Sequence, residues 1–242
     1  MSSPKCCILI NRKENVVRCK NILSACIVKN SISKTQLSEL FTGTIRDNEV
    51  KGVHTVGDAG LRLIVGGQLQ SMFPFPGLRE PTIGESLRLH PDVVKKAFKT
   101  EHFEYEPYLE WIEHDGTCAD KAINPDLLVK RNDGYYDIYD LKTAVLDRKS
   151  VTKANRKRRR FIDYVEEGIS QLANYREYFE YPKNAEFAKI KYGIEVNNPR
   201  LVLVVGSWEN VDIDEVNQAC RKYRNVQVID YDTVCQMFMG TN

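Results

Sequence analysis

The sequence predicts an α/β protein: a mixed β-sheet flanked by helices, preceded by a small β-rich N-terminal region. Three observations carry this. Residues 123–144, "INPDLLVKRNDGYYDIYDLKTA", read as two β-type runs joined by an Asp-Gly turn, a strong hairpin signal. Residues 161–179 switch to a helical period. "RLVLVVG" at 200–206 is then an unbroken apolar run, as in a strand covered on both faces. Strands and helices that alternate after an antiparallel pair imply crossovers into a mixed sheet.

Taken in order, "CCILI" (6–10), "ACIVK" (25–29) and "LRLIVGG" (61–67) are β-type runs. "SKTQLSELF" between them, opening on Ser33, reads as a short helix, and "GDAG" (57–60) and "GG" (66–67) as turns without a phosphate-loop pattern. Prolines in "FPFPG" (73–77) forbid regular pairing and mark a linker, which divides the chain into residues 1–75 and 76–242. Pro81 then suits a first helical turn. Ile83, Leu87, Val93 or Val94, and Phe98 form an apolar stripe interrupted by Pro91, so a helix, a break and a second short helix are expected. "FEYEPYLEWI" (103–112) alternates and reads as a strand, followed by the hairpin. In the next helix Val165, Ile169, Leu172, Arg176 and Phe179 make one stripe, with Gln171, Tyr175 and Tyr178 on a neighbouring face. Asp212 caps a helix with the stripe Ile213, Val216, Ala219, Cys220 and Tyr223, and "VQVIDYD" (226–232) is the last strand. From residue 80 the order is helix, three strands, helix, strand, helix, strand.

Composition excludes some functions. The 242 residues are 42% hydrophobic and 28% charged, with a formal net charge of +2. Any nucleic-acid affinity must therefore come from a local patch. Seven cysteines, an odd number without a CxxC pair, argue for reduced thiols rather than a zinc site or a disulfide framework. No apolar run approaches the roughly 20 residues of a membrane span, so a soluble, cytoplasmic protein is expected.

The hairpin carries the chemistry. Asp140 and Lys142 point to one face of their strand, Leu141 to the other, and Asp126 sits on the partner strand after Pro125. Leu127, Val129, Ile138 and Leu141 are expected to hold the sheet. Two carboxylates and an ammonium on one face cost desolvation energy unless something balances them. A magnesium or manganese ion held by oxygen ligands would do so, and a lysine beside it suits phosphodiester hydrolysis. A plain surface salt bridge is the alternative. Residues 148–160, "RKSVTKANRKRRR", hold eight Lys or Arg and no acid, and follow directly. They are placed to grip a phosphate backbone, chiefly through Arg156, Lys157, Arg158, Arg159 and Arg160, although a solvated basic loop would read the same. His54, His90, His102 and His114 lack partners at ligand spacing, and Trp111 and Trp208 read as packing residues.

Pro125-Asp126 followed by Asp140-Leu141-Lys142 resembles the PD-(D/E)xK nuclease superfamily. Gln171-Leu-Ala-Asn-Tyr175 is similar to the Gln-x-x-x-Tyr element of several of its branches. "EGISQLANYREYF", "RLVLVVGS" and "VIDYDTV" most resemble the Shedu group of anti-phage nucleases. The resemblance covers residues 80 to the C-terminus. It implies a restriction-endonuclease-like fold, in which Asp126 and Asp140 hold magnesium (or manganese in its place), Lys142 is the catalytic lysine and Gln171 lines the site. It also implies an acid on the first helix. Glu80 fits the Shedu spacing best and would join the catalytic and metal-binding residues, with Glu85 and Glu106 as the other candidates. The substrate implied is DNA, gripped by its backbone with little sequence preference, and relatives suggest a homo-oligomer. The rival readings are a catalytically silent nucleic-acid-binding or sensing module on the same fold, and a structural subunit assembled through residues 1–75.

Overall fold

The structure, a computed structural model, describes residues 79–116, 120–155 and 158–239, the backbone of 5–11, 23–28 and 50–56, and isolated positions between 35 and 73. Strands β1 (Lys5–Asn11), β2 (Leu23–Val28) and β3 (Val50–Val56) form an antiparallel sheet in the order β2-β1-β3. The expected helix at 33–41 falls almost wholly outside the described residues, as does the proline linker after Phe73.

"LRLIVGG" differs from expectation. Val65 and Gly66, then Leu69 and Gln70, are helical. Val65, Leu69 and Phe73 recur every fourth residue and are all buried in one core, which is a helical period rather than a strand's.

The main sheet is mixed and has five strands, β4 (Phe103–Tyr105), β7 (Leu127–Lys130), β8 (Tyr136–Leu141), β11 (Leu201–Val204) and β12 (Val226–Ile229), in the order β12-β11-β8-β7-β4. β4, β7 and β8 are antiparallel in turn, while β8, β11 and β12 are parallel. The small pair β5 (Leu109–Glu110) and β6 (Ala122–Ile123) stands apart. "FEYEPYLEWI" is therefore two strands in two sheets. The break is at Glu106, whose φ of 45° is incompatible with a strand.

Two apolar cores cover the sheet, one on each face. The first lies under helices α1 (Glu80–Leu89), α2 (Pro91–Phe98) and α6 (Tyr231–Met239), with Leu127, Val129, Tyr139 and Leu141 from the sheet. The second lies under α3 (Asp163–Tyr178), α4 (Pro182–Tyr192) and α5 (Ile213–Cys220), with Leu128, Tyr136 and Ile138. Ile138 thus lies on the face of Asp140, opposite Leu141, as strand alternation requires. Pro81 and Pro91 open α1 and α2, and Asp212 caps α5 by accepting the N–H groups of Asp214 and Glu215. Ile213, expected in the α5 stripe, is exposed, and Arg176, expected in the α3 stripe, is only half-buried. α4 and α6 follow no expected element. α4 has almost no apolar stripe, and α6 begins inside the run expected to be the last strand. Among the described residues no helix is long and apolar enough to cross a membrane.

Candidate active site

The β7–β8 register pairs Leu127 with Tyr139, so one further step sets Asp126 across from Asp140. This point is the carboxyl end of β8, where open α/β sheets bind ligands. The Asp126 carboxylate accepts the Leu141 N–H at 2.5 Å, which ties the two strand ends together. Asp140 is 1% exposed. Lys142 Nζ stands 3.0 Å from Asp140 Oδ2 and pairs with it as an ammonium with a carboxylate. Lys142 also donates to Gln171 Oε1 at 2.8 Å, and Gln171 donates to Tyr175 Oη. The sheet holds the Lys142 backbone through its N–H on Val204 O at 2.8 Å, and buried Tyr231 donates to its carbonyl at 2.6 Å.

Burial pushes the carboxyls of Asp126 and Asp140 well above the ordinary range. For Asp126 the charge of Asp140 adds to burial, while the Leu141 N–H and Lys142 oppose it. For Asp140 the Lys142 ammonium opposes burial without cancelling it. The two lie close enough to share a proton. Burial alone would lower Lys142, but the charges of Asp140, Glu80 and Asp126 outweigh it and raise it. The acids have a cation, yet too little positive charge for both to ionise freely.

Of the upstream acids, Glu80 is half-buried in the first turn of α1 and accepts a hydrogen bond from Tyr164 in the first turn of α3. Its charge is felt by both Asp140 and Lys142. Glu85 is exposed and forms a two-pronged pair with Arg88 at 2.6 and 2.7 Å. Glu106 is exposed but near, since its N–H bonds Asp126 O at 3.1 Å and its charge reaches the Asp126 carboxyl. Among the described residues, no three His, Cys, Asp or Glu side chains converge as a ready-made metal cage.

The basic segment is a hairpin rather than a loose loop, with β9 (Thr152–Lys153) paired to β10 (Arg160–Phe161). Arg158 and Arg160 are exposed. Arg159 is turned inward to Glu215 at 2.6 Å and Thr152 at 3.3 Å, so it braces the hairpin against α5. Arg156 and Lys157 lie outside the described residues.

Three contributors escaped the sequence reading. Tyr164 joins Glu80 to the Thr143 N–H, which it accepts at 3.2 Å, and nothing in its spacing marks it. Tyr231 anchors Lys142 across 89 residues of sequence. Gly168 did leave a signal, a glycine inside a helix. A Cβ there would stand 2.8 Å from Leu203 Cδ1 and 3.3 Å from Lys142 Cε, so the glycine opens the channel that Lys142 runs through.

No curated protein matches the chain. A family model described as "Shedu protein SduA, C-terminal" matches residues 68–235, the span that holds the mixed sheet, the second core, most of the first and every acid of the cluster. By this match the chain belongs to the Shedu family of anti-phage defence proteins.

Proposed function

We propose that the chain is a metal-dependent nuclease of the PD-(D/E)xK superfamily, hydrolysing phosphodiester bonds of DNA in anti-phage defence. One observation carries this reading: a fully buried carboxylate, Asp140, faces a second buried acid, and the Lys142 ammonium 3.0 Å away does not offset the burial of the pair. Buried charges left so are costly, and a missing cation explains the arrangement better than a structural role does. The donor set is all oxygen and fits magnesium or manganese. Asp126 and Asp140 would hold the ion, and Glu80 would join them by giving up its bond to Tyr164. When bound, the ion supplies charge against the phosphate oxygens and lowers the pKa of a water.

The chain's own residues do the rest. Lys142 is held protonated by its acidic neighbours, so it acts as a cation. It stabilises the charge that develops on the phosphoryl oxygens rather than serving as a base. Gln171 fixes its Nζ, and Tyr175 fixes Gln171. Exposed Arg158 and Arg160, with Arg156 and Lys157, contact the backbone and carry no base-edge code.

The test is cleavage of DNA by purified protein with magnesium, beside Asp140→Ala and Lys142→Ala. Each substitution is expected to lower the rate at least about a hundredfold, as loss of a charge-stabilising group does. Equal cleavage by all three proteins sinks the assignment. A silent DNA-binding module is the second reading, favoured by the engagement of Glu80 with Tyr164 and by the lack, among the described residues, of a converged three-acid cage. Magnesium-dependent turnover by the wild type rules it out.

A further inference from the structure

Just past Lys142 the chain borders an open groove of about 710 Å³. Thr143 stands at its active-site end, and Tyr164 lines it while its hydroxyl bonds Glu80 and the Thr143 N–H. The groove therefore shares a wall with the acid cluster. Leu146 and Ile162, both packed against the second core, line it with apolar surface. Arg148 and Lys149 stand exposed on its lining, and neither pairs with an acid among the described residues. Lys153 is taken by Asp163, so those two are the cations left for a ligand; Asp147 is the other acid on the lining.

A duplex tracked only through its phosphates needs basic side chains and no apolar lining. Apolar surface, one aromatic side chain and a cationic rim together are the chemistry that receives an unstacked base with its phosphate. The volume falls within the roughly 300–1,000 Å³ of small-molecule sites. We propose that this groove takes one unpaired nucleotide of the substrate strand beside the scissile phosphate, with its base against Leu146, Ile162 and Tyr164 and its phosphate on Arg148 and Lys149. The preferred substrate is then single-stranded or locally opened DNA. The placement beside the scissile bond rests on the nuclease reading, whereas the binding does not.

The experiment uses the full chain in two arms. In the binding arm, a short single-stranded oligodeoxynucleotide carrying 2-aminopurine is titrated into Asp140→Asn protein. Quenching is expected, with about tenfold weaker binding after Arg148→Glu with Lys149→Glu, since both residues are exposed and the fold should be undisturbed. In the cleavage arm, wild type with magnesium should cut a bubble at least about tenfold faster than a paired duplex. An abasic nucleotide at one position flanking the cut should slow it about tenfold, the worth of one stacked base. Equal cutting of bubble and duplex, with no position sensitive to base removal, overturns the proposal. So does binding that is indifferent to the double substitution. Quenching that depends on Arg148 and Lys149, with no cleavage of any DNA, keeps the groove and sinks the nuclease reading instead.

Discussion

Asp137 and Asp140 lie three residues apart on β8, on opposite faces, and both are buried, at 0% and 1% exposure. Their surroundings differ completely. Asp137 accepts from the Arg200 N–H at 2.8 Å and from its guanidinium at 2.6 and 2.7 Å, and Arg131 adds a contact at 3.2 Å. Asp140 has a single ammonium beside it, at 3.0 Å, and another carboxylate facing it. The same strand can therefore compensate a buried acid fully, and at Asp140 it does not. A folded chain keeps an uncompensated charge only where something outside it supplies the balance or where function requires the imbalance. Asp137 holds β8 to the start of β11; Asp140, on the proposed reading, would help to hold a cation.

The widest separation of the two should appear in stability. Asp137→Ala removes the acid partner of the Arg200 guanidinium and backbone N–H and one of the contacts of Arg131, and is expected to cost about 3 kcal/mol, the lower end for a broken buried pair because Arg200 is half exposed and Arg131 keeps Asp133. Asp140→Ala should cost little or nothing by the same urea titration, while abolishing cleavage. Similar losses at the two positions would erase the distinction between them.

The sequence showed half of this contrast. The Asp-Gly turn and the period-two alternation made the hairpin legible, and the two-residue spacing put Asp140 and Lys142 on one face. Gln171 was legible because a helical stripe has a definite neighbouring face. What compensates Asp137 was not legible, because Arg200 is 63 residues away and no local period reports a cross-strand ion pair. Helix α4 was missed because a helix without an apolar stripe leaves no periodic mark. The strand break at Glu106 was hidden because aromatic alternation continues across it, and only the positive φ reveals it. The basic run read as a loop because charge patterning says nothing of the Thr152–Phe161 pairing that folds it back.

Gly168 offers a finer break of the comparison, since it touches the Asp140 side alone. Gly168→Ala gains helix propensity of about 1 kcal/mol, and crowding against Leu203 offsets a similar amount, so stability should scarcely move. The new methyl group presses on Lys142 Cε, and a misplaced reacting group costs rate steeply. A fall in kcat of about tenfold with an unchanged melt is expected. An active Gly168→Ala enzyme would mean that Lys142 needs no defined channel.

The smallest effect is the most diagnostic, because it reads the proposed cation directly. The folded-state carboxyls of Asp126 and Asp140 titrate above their unfolded values, burial being the main cause. The native state therefore holds more protons than the unfolded chain as pH rises out of the carboxylate range. The pair's contribution to stability is full below about pH 4, where the unfolded carboxyls are also protonated, and is lost as pH climbs towards neutrality. Lys142 already counts against this shift without cancelling it, so ionised Asp140 is a net burden on the metal-free fold. Asp140→Asn should then raise metal-free stability by about 1 kcal/mol at pH 8 and change it little at pH 4. Magnesium should do for the wild type what the amide does for the variant. Its stabilisation follows ligand binding to the native state alone, so the melting temperature should rise with magnesium at pH 8, rise less at pH 5, and stay fixed in Asp140→Asn. A wild-type melt indifferent to magnesium at pH 8 would leave the Asp140 pocket without its counter-ion and make its imbalance unlike that of a metal site.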